Sequence, residues 1–200
     1  MKENILLRSA KPEDAEAVLE IYRPYILNTP VSFETEVPSL EDYRNRIIQY
    51  QETLPWLVCE IDKSLAGYSY AIDHRKRKAY DCSKELSVYV HEHYRNRGIA
   101  SGLYTAVIEL LKHQGVSNVL AGIALPNPES VGFHEKFGFQ LVGIYHNVGY
   151  KLGKYHNAGW WELPIGNGQP PPDRITPVSD LYDTAIWHEA MKSGISKIHS

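Results

Sequence analysis

Cysteine is scarce in this chain. Among 200 residues there are two, Cys59 and Cys82, far apart and without a CxxC pattern. That excludes a disulfide framework and a cysteine-rich metal site, and it points to free thiols in a reducing compartment. A basic excess is also missing: 21 Lys and Arg stand against 24 Asp and Glu, a net charge of −3. A nucleic-acid-binding surface needs cations to displace counterions, so no nucleic-acid partner is expected. No apolar run is long enough to cross a bilayer, and Met1-Lys2-Glu3-Asn4 leads into only three apolar residues. Neither a signal peptide nor a membrane partner is expected, and the reading is cytoplasmic. Internal repeats are absent too. What remains is enough chain to bury one substantial core.

The most informative stretch that is present is Arg95-Asn96-Arg97-Gly98-Ile99-Ala100. Upstream, Glu85-Leu86-Ser87-Val88-Tyr89-Val90 alternates and is β-branched, as a strand does. Downstream, Leu103, Val107, Leu110 and Leu111 recur at helical spacing. A strand, a basic turn with glycine and a helix start make an anion site. Backbone N–H groups converge there, the helix dipole adds partial positive charge, and Gly98 permits close approach. The spacing differs from G-x-x-x-x-G-K-[ST] and from G-x-G-x-x-G.

The order of elements reads as strand, two helices, three strands, helix, strand, helix and two strands. Strands largely follow one another, so the class is α+β rather than doubly wound. Ser39 is a helix cap, Asp62-Lys63-Ser64 a hairpin turn, and Gly138 the stop of a short helix near Glu129 to Phe137. Phe139 to Gly143 and Trp160 to Leu163 read as closing strands. Gly-Asn-Gly-Gln-Pro-Pro-Pro-Asp from Gly166 marks a linker. The division is therefore a domain over 1–165 and an extension over 166–200, where Leu181, Ala185, Trp187, His188 and Met191 can line a short helix. That tail is expected to dock on its own domain or on a partner.

The loop at Arg95 resembles the Q/R-x-x-G-x-G/A pyrophosphate loop of the GCN5-related N-acetyltransferases (GNAT). Asn127, Ser130 and Phe133-His134-Glu135-Lys136-Phe137-Gly138-Phe139 resemble that family's "N…LYEKLGF" segment. With Tyr80, Glu85, Val88-Tyr89-Val90 and Gly149-Tyr150-Lys151, the pattern is similar to the phosphinothricin and methionine sulfoximine N-acetyltransferases over roughly residues 4 to 165. The resemblance implies a mixed, mostly antiparallel sheet splayed between strands 4 and 5 and flanked by about four helices. It implies acetyl-CoA as co-substrate, direct transfer to the α-amine of a small amino-acid analogue, and a homodimer whose partner helps complete the pocket.

Carried onto this sequence, the loop Arg95, Asn96, Arg97, Gly98, Ile99, Ala100 and Ser101 would hold the pyrophosphate. Val88, Tyr89 and Val90 would line the pantetheine arm, with Asn127 and Ser130 at its side. Glu85 shares a strand face with Ser87 and Tyr89, and a carboxylate there can deprotonate an ammonium. His134 stands where the subfamily has a proton donor or base, and a relay with Glu85 is one arrangement open to it. Arg75, Arg77, Lys78 and Tyr80 precede Glu85, where cations can bind a carboxylate in bidentate fashion. Phe33 can wall the side chain of the acceptor. The sequence departs from some relatives at His74, where they carry an aromatic. His91 and His93 lack a third ligand, so no metal is expected. A polyamine, aminoglycoside or protein terminus as acceptor, and a domain that binds acetyl-CoA without turnover, stay open.

Overall fold

The computed structural model describes residues 3–170 and 172–199. It contains seven strands: β1 (Ile5–Ser9), β2 (Trp56–Ile61), β3 (Ser64–Asp73), β4 (Ser83–Val90), β5 (Asn118–Leu125), β6 (Gln140–Lys151) and β7 (Lys154–Pro164). The five helices are α1 (Ala15–Asn28), α2 (Leu40–Gln51), α3 (Ile99–Gln114), α4 (Pro128–Lys136) and α5 (Ala185–Ile195). The strands form one sheet in the order β1-β2-β3-β4-β5-β7-β6. All neighbours are antiparallel except β4 and β5, which run parallel. No helix among the described residues is long and apolar enough to cross a membrane.

The parallel pair is short. β4 and β5 pair only through Ser83↔Asn118, Lys84↔Val119 and Glu85↔Leu120, although both strands continue for five further residues. Past Glu85 they part, so the sheet is splayed at the junction the family resemblance implies. On the β5 side, the backbone of residues 86–90 has no strand to pair with.

Two cores flank the sheet. α3 buries Ile99, Leu103, Ala106, Val107, Leu110 and Leu111 against one face, together with Val119, Ala121 and Ile123 of β5. Those α3 positions repeat at the period of a helix with one apolar stripe. α1 and α2 cover the other face with Val18, Tyr22, Ile26, Tyr43 and Ile47 around Trp56 and Tyr68. Tyr89 joins this second core, its ring 4.8 Å from that of Tyr22 and 5.2 Å from that of Tyr25. Turn chemistry fits the hairpins: Asp62 and Lys63 between β2 and β3 are both left-handed, as are Leu152 and Gly153 between β6 and β7, the backbone of a two-residue I′ turn.

One expectation needs correction. The closing strands are far longer than the sequence suggests, because Gly143 and Asn147 to Gly149 interrupt the alternation where the ladder shifts register. Four helices lie ahead of the linker as expected, and α5 is the short helix expected in the tail. The exposed stretch 166–170 and 172–174 leads back to the α3 side of the sheet. Thr184 caps α5 by accepting from the Trp187 N–H. Trp187, Ala190, Met191 and Gly194 then form the face of α5 that packs onto α3 and β1. Gln114 pins the approach, donating 2.6 Å bonds to the carbonyls of Thr53 and Thr176.

Candidate active site

The divergence of β4 and β5 opens into a cleft of about 1140 Å³. Its floor is Leu86 to Val90 of β4 and Ala121 to Ala124 of β5, and its head is the loop before α3. Gly98 caps α3 in the left-handed region (φ 75°) and Asn96 shares that region (φ 61°). The turn so bent brings the first free amides of α3 to the cleft, where they and the helix dipole suit an anion. Val88, Tyr89, Val90, Arg95, Asn96, Gly98, Ile99, Ala100, Ser101, Asn127, Ser130 and His134 all line this space.

Arg97 does not. Its guanidinium pairs with Glu3 and donates from Nε to the His199 carbonyl at 3.2 Å. Arg95 lies over the Tyr25 ring, 5.9 Å from its centroid. Asn127 caps α4, its Oδ1 accepting from the Ser130 N–H at 3.2 Å.

Across the sheet, on the α1 side, lies Glu85 at the point where the strands separate. His74 Nδ1 donates to its Oε1 at 2.8 Å. Arg75 Nε donates in turn to His74 Nε2 at 3.4 Å, which leaves the imidazole hydrogen on Nδ1. Burial pushes the Glu85 carboxyl up from its ordinary range, while the hydrogen bond from His74 and the nearby positive charge of Arg75 pull it back. A cavity of about 420 Å³ adjoins this pair, lined by His74, Arg75, Leu120, Tyr145 and Trp160 among others. Tyr80 stacks edge-on to His74 at 5.9 Å, and the Arg75 guanidinium lies 5.7 Å from the Tyr80 ring centre. Arg77 and Lys78 are exposed and line neither cavity. Phe33 sits against Gly149 of the β6–β7 hairpin, and the neighbouring Ser32 carbonyl accepts from the buried Lys151 at 2.5 Å.

His134 and Glu85 are not hydrogen-bonded to each other. His134 is buried, and its Nδ1 donates to the Ser130 carbonyl at 2.7 Å. The remaining nitrogen, Nε2, accepts from the Tyr104 hydroxyl at 3.0 Å. Burial lowers the imidazole pKa, so the neutral form fits the site. Two partners were not evident in the sequence: His74 for Glu85 and Tyr104 for His134. Tyr104 falls on the apolar stripe of α3 and reads there as core. His74 is conspicuous only as a departure from the subfamily.

Residues 7–160 match the family model described as "Acetyltransferase (GNAT) domain". The chain belongs to the GNAT acetyltransferase family. Among relatives of this acetyltransferase is a phosphinothricin N-acetyltransferase of Streptomyces viridochromogenes, 35% identical over 179 residues, which span 88% of this chain and 95% of the relative. An L-methionine sulfoximine/L-methionine sulfone acetyltransferase of Salmonella typhimurium is 27% identical, over 82% of this chain and 97% of that one. The crystal structure of a GNAT superfamily phosphinothricin acetyltransferase from Sinorhizobium meliloti in complex with acetyl-CoA superposes with a TM-score of 0.80 at 27% identity. That match covers 90% of this chain and 98% of the other.

Proposed function

We propose that this acetyltransferase uses acetyl-CoA to acetylate the α-amine of a small amino-acid analogue of the phosphinothricin or methionine sulfoximine type. One observation carries the reading: a single strand, β4, runs from Glu85 along the floor of the cleft to the anion-suited loop at α3. The relatives named for these two substrates and the Sinorhizobium meliloti structure holding acetyl-CoA support it.

The residues present fit the coenzyme. The amides of Gly98 to Ser101 take the pyrophosphate, and the unpaired edge of β4 offers backbone groups to the pantetheine arm, with Asn127 and Ser130 alongside. Bound there, acetyl-CoA supplies an activated acetyl group as a thioester. Glu85 is the general base that takes a proton from the acceptor's ammonium, and His74 orients it. A β4 amide serves the oxyanion. Tyr104 and His134, on the opposite wall, hold the proton that the leaving sulfur needs. Transfer is direct, from a complex holding both substrates. Cys59 is buried and its thiol is pushed up to about 12, which suits packing and not nucleophilic attack.

On the acceptor side, Arg75 and Tyr80 with Trp160 recognise the α-carboxylate and side chain, whereas Phe33, packed on Gly149, lines neither cavity. Arg75, Arg77 and Lys78 make this approach cationic, which disfavours polyamine acceptors. The enzyme is a homodimer through β6. This edge strand exposes Leu141, Val142, Ile144, Tyr145, Val148 and Tyr150, an unprotected apolar edge of the kind proteins cover. Val142 and Tyr145 also line the acceptor cavity, so a second copy on β6 would help to close it. The test is thiol release from acetyl-CoA with a panel of acceptors. Methionine sulfoximine or phosphinothricin should be turned over. Preference for a polyamine or aminoglycoside, or binding of acetyl-CoA with no turnover on any amine, would refute the proposal.

A further inference from the structure

The C-terminal segment lies beyond the matched family region, which ends at residue 160. Its last turn is nonetheless built into the head of α3. A Cβ at Gly98 would fall 2.1 Å from the Lys197 carbonyl oxygen. His199 N donates to the Arg97 carbonyl at 2.9 Å, and Arg97 Nε returns a bond to the His199 carbonyl. One helical turn further on, Gly102 and Gly194 pass so closely that a Cβ on either would come within 2.7 Å of the other's carbonyl oxygen. Glycine is required at these crossings because there is no room for a side chain. Ser193, Ser196, Lys197 and His199 thereby become part of the lining of the 1140 Å³ cleft, beside Arg95 and Asn96.

We propose that this tail is a third wall of the coenzyme site, and that Lys197 binds a phosphate at the nucleotide end of the coenzyme. The inference rests on the assignment of the cleft to acetyl-CoA. Three observations argue for it. The tail touches Arg97 and Gly98, at the anion end of the cleft and away from Glu85. Arg97, the cation expected to meet the phosphates, spends its charge on Glu3 and is turned out of the lining. Lys197 is exposed, lines the cleft and makes no ion pair among the described residues, so its ammonium can replace the cation that Arg97 withholds. The docking contacts of Lys197 are made by its backbone and not by its exposed side chain, so a change to that side chain alters charge without undoing the contact.

Calorimetric titration of the full chain with CoA, dephospho-CoA and pantetheine tests this. Lys197→Ala should weaken CoA binding about three- to fivefold, as expected for one exposed ion pair, and Lys197→Glu by about tenfold or more. Both losses should shrink at high salt. Pantetheine, which has no phosphate, should bind the variants and the parent alike. A loss retained with dephospho-CoA assigns Lys197 to the diphosphate; a loss abolished there assigns it to the 3′-phosphate. Unchanged CoA affinity in both variants, or tighter binding by Lys197→Glu, would overturn the proposal while leaving the coenzyme site in place. Failure of the parent protein to bind CoA at all would instead remove the coenzyme reading on which this one rests.

Discussion

Replacing His74 with leucine isolates the most specific piece of chemistry on the proposed acceptor face. His74 donates to Glu85 at 2.8 Å, with both side chains mostly buried (16% and 25% exposed). A hydrogen bond to a charged group contributes about 1.5–3 kcal/mol, and the partial exposure favours the lower end. If that interaction orients the base in the transition state, its loss lowers kcat/KM roughly tenfold, at about 1.4 kcal/mol per factor of ten. Glu85→Gln, which removes the proposed base, should cost about 10²- to 10⁴-fold. The pH dependence has a definite sign. Burial raises the Glu85 carboxyl, and His74 lowers it. Without His74 the desolvation is less opposed, the carboxyl holds its proton to higher pH, and the acid limb of the rate profile moves up. Initial rates of thiol release across pH 5 to 9, for the parent and both variants, measure all three effects. A His74→Leu enzyme with parental kcat/KM and an unmoved acid limb would refute the dyad. Undiminished turnover in Glu85→Gln would remove Glu85 from the mechanism.

Other expectations are open to simple measurement. His134 is neutral and buried, with its pKa lowered, so the unfolded chain binds more protons just below that residue's ordinary 6.5. Its contribution to stability is therefore intact above that pH and lost as pH falls through the folded value. Urea midpoints should drop on acidification in the parent and less in His134→Gln; equal slopes would contradict this. Trp187 is 9% exposed in the core under α5, so Trp187→Ala should destabilise by about 3 kcal/mol in denaturant titration. A change below about 0.5 kcal/mol would mean the tail is not part of the cooperative unit. Tyr145→Glu on β6 should convert a dimer to a monomer in sedimentation, and a parent that sediments as a monomer would remove that interface.

The parts of this molecule legible in its sequence are the ones encoded locally. The strand from Glu85, the turn at Gly98 and the stripe of α3 sit within thirty residues and obey simple periodicities, so the anion-suited cleft could be anticipated. The sheet's parting could be reached only through family resemblance, since no pattern along β4 or β5 says where pairing ends. The partnerships were hidden because they join distant positions. His74 reaches Glu85 over 11 residues, and Tyr104 reaches His134 over 30. Tyr104 also occupies a position where α3 needs bulk, which masked its hydroxyl. Arg97 reads as a phosphate ligand because it lies inside the loop motif; Glu3 and His199, 94 and 102 residues away, redirect it. The tail's composition spoke only of a loop and a short helix, and its seat on α3 depends on Gly102, whose role as a crossing point becomes visible only with Gly194 against it.

Backbone amide NMR of the labelled protein during titration with acetyl-CoA tests the central claim most directly. Saturable shifts concentrated at Gly98, Ile99, Ala100 and Ser101 and along Val88 to Val90 are predicted, with the α2 amides unmoved. A spectrum that does not change, or shifts confined to surfaces away from the β4–β5 opening, would contradict it.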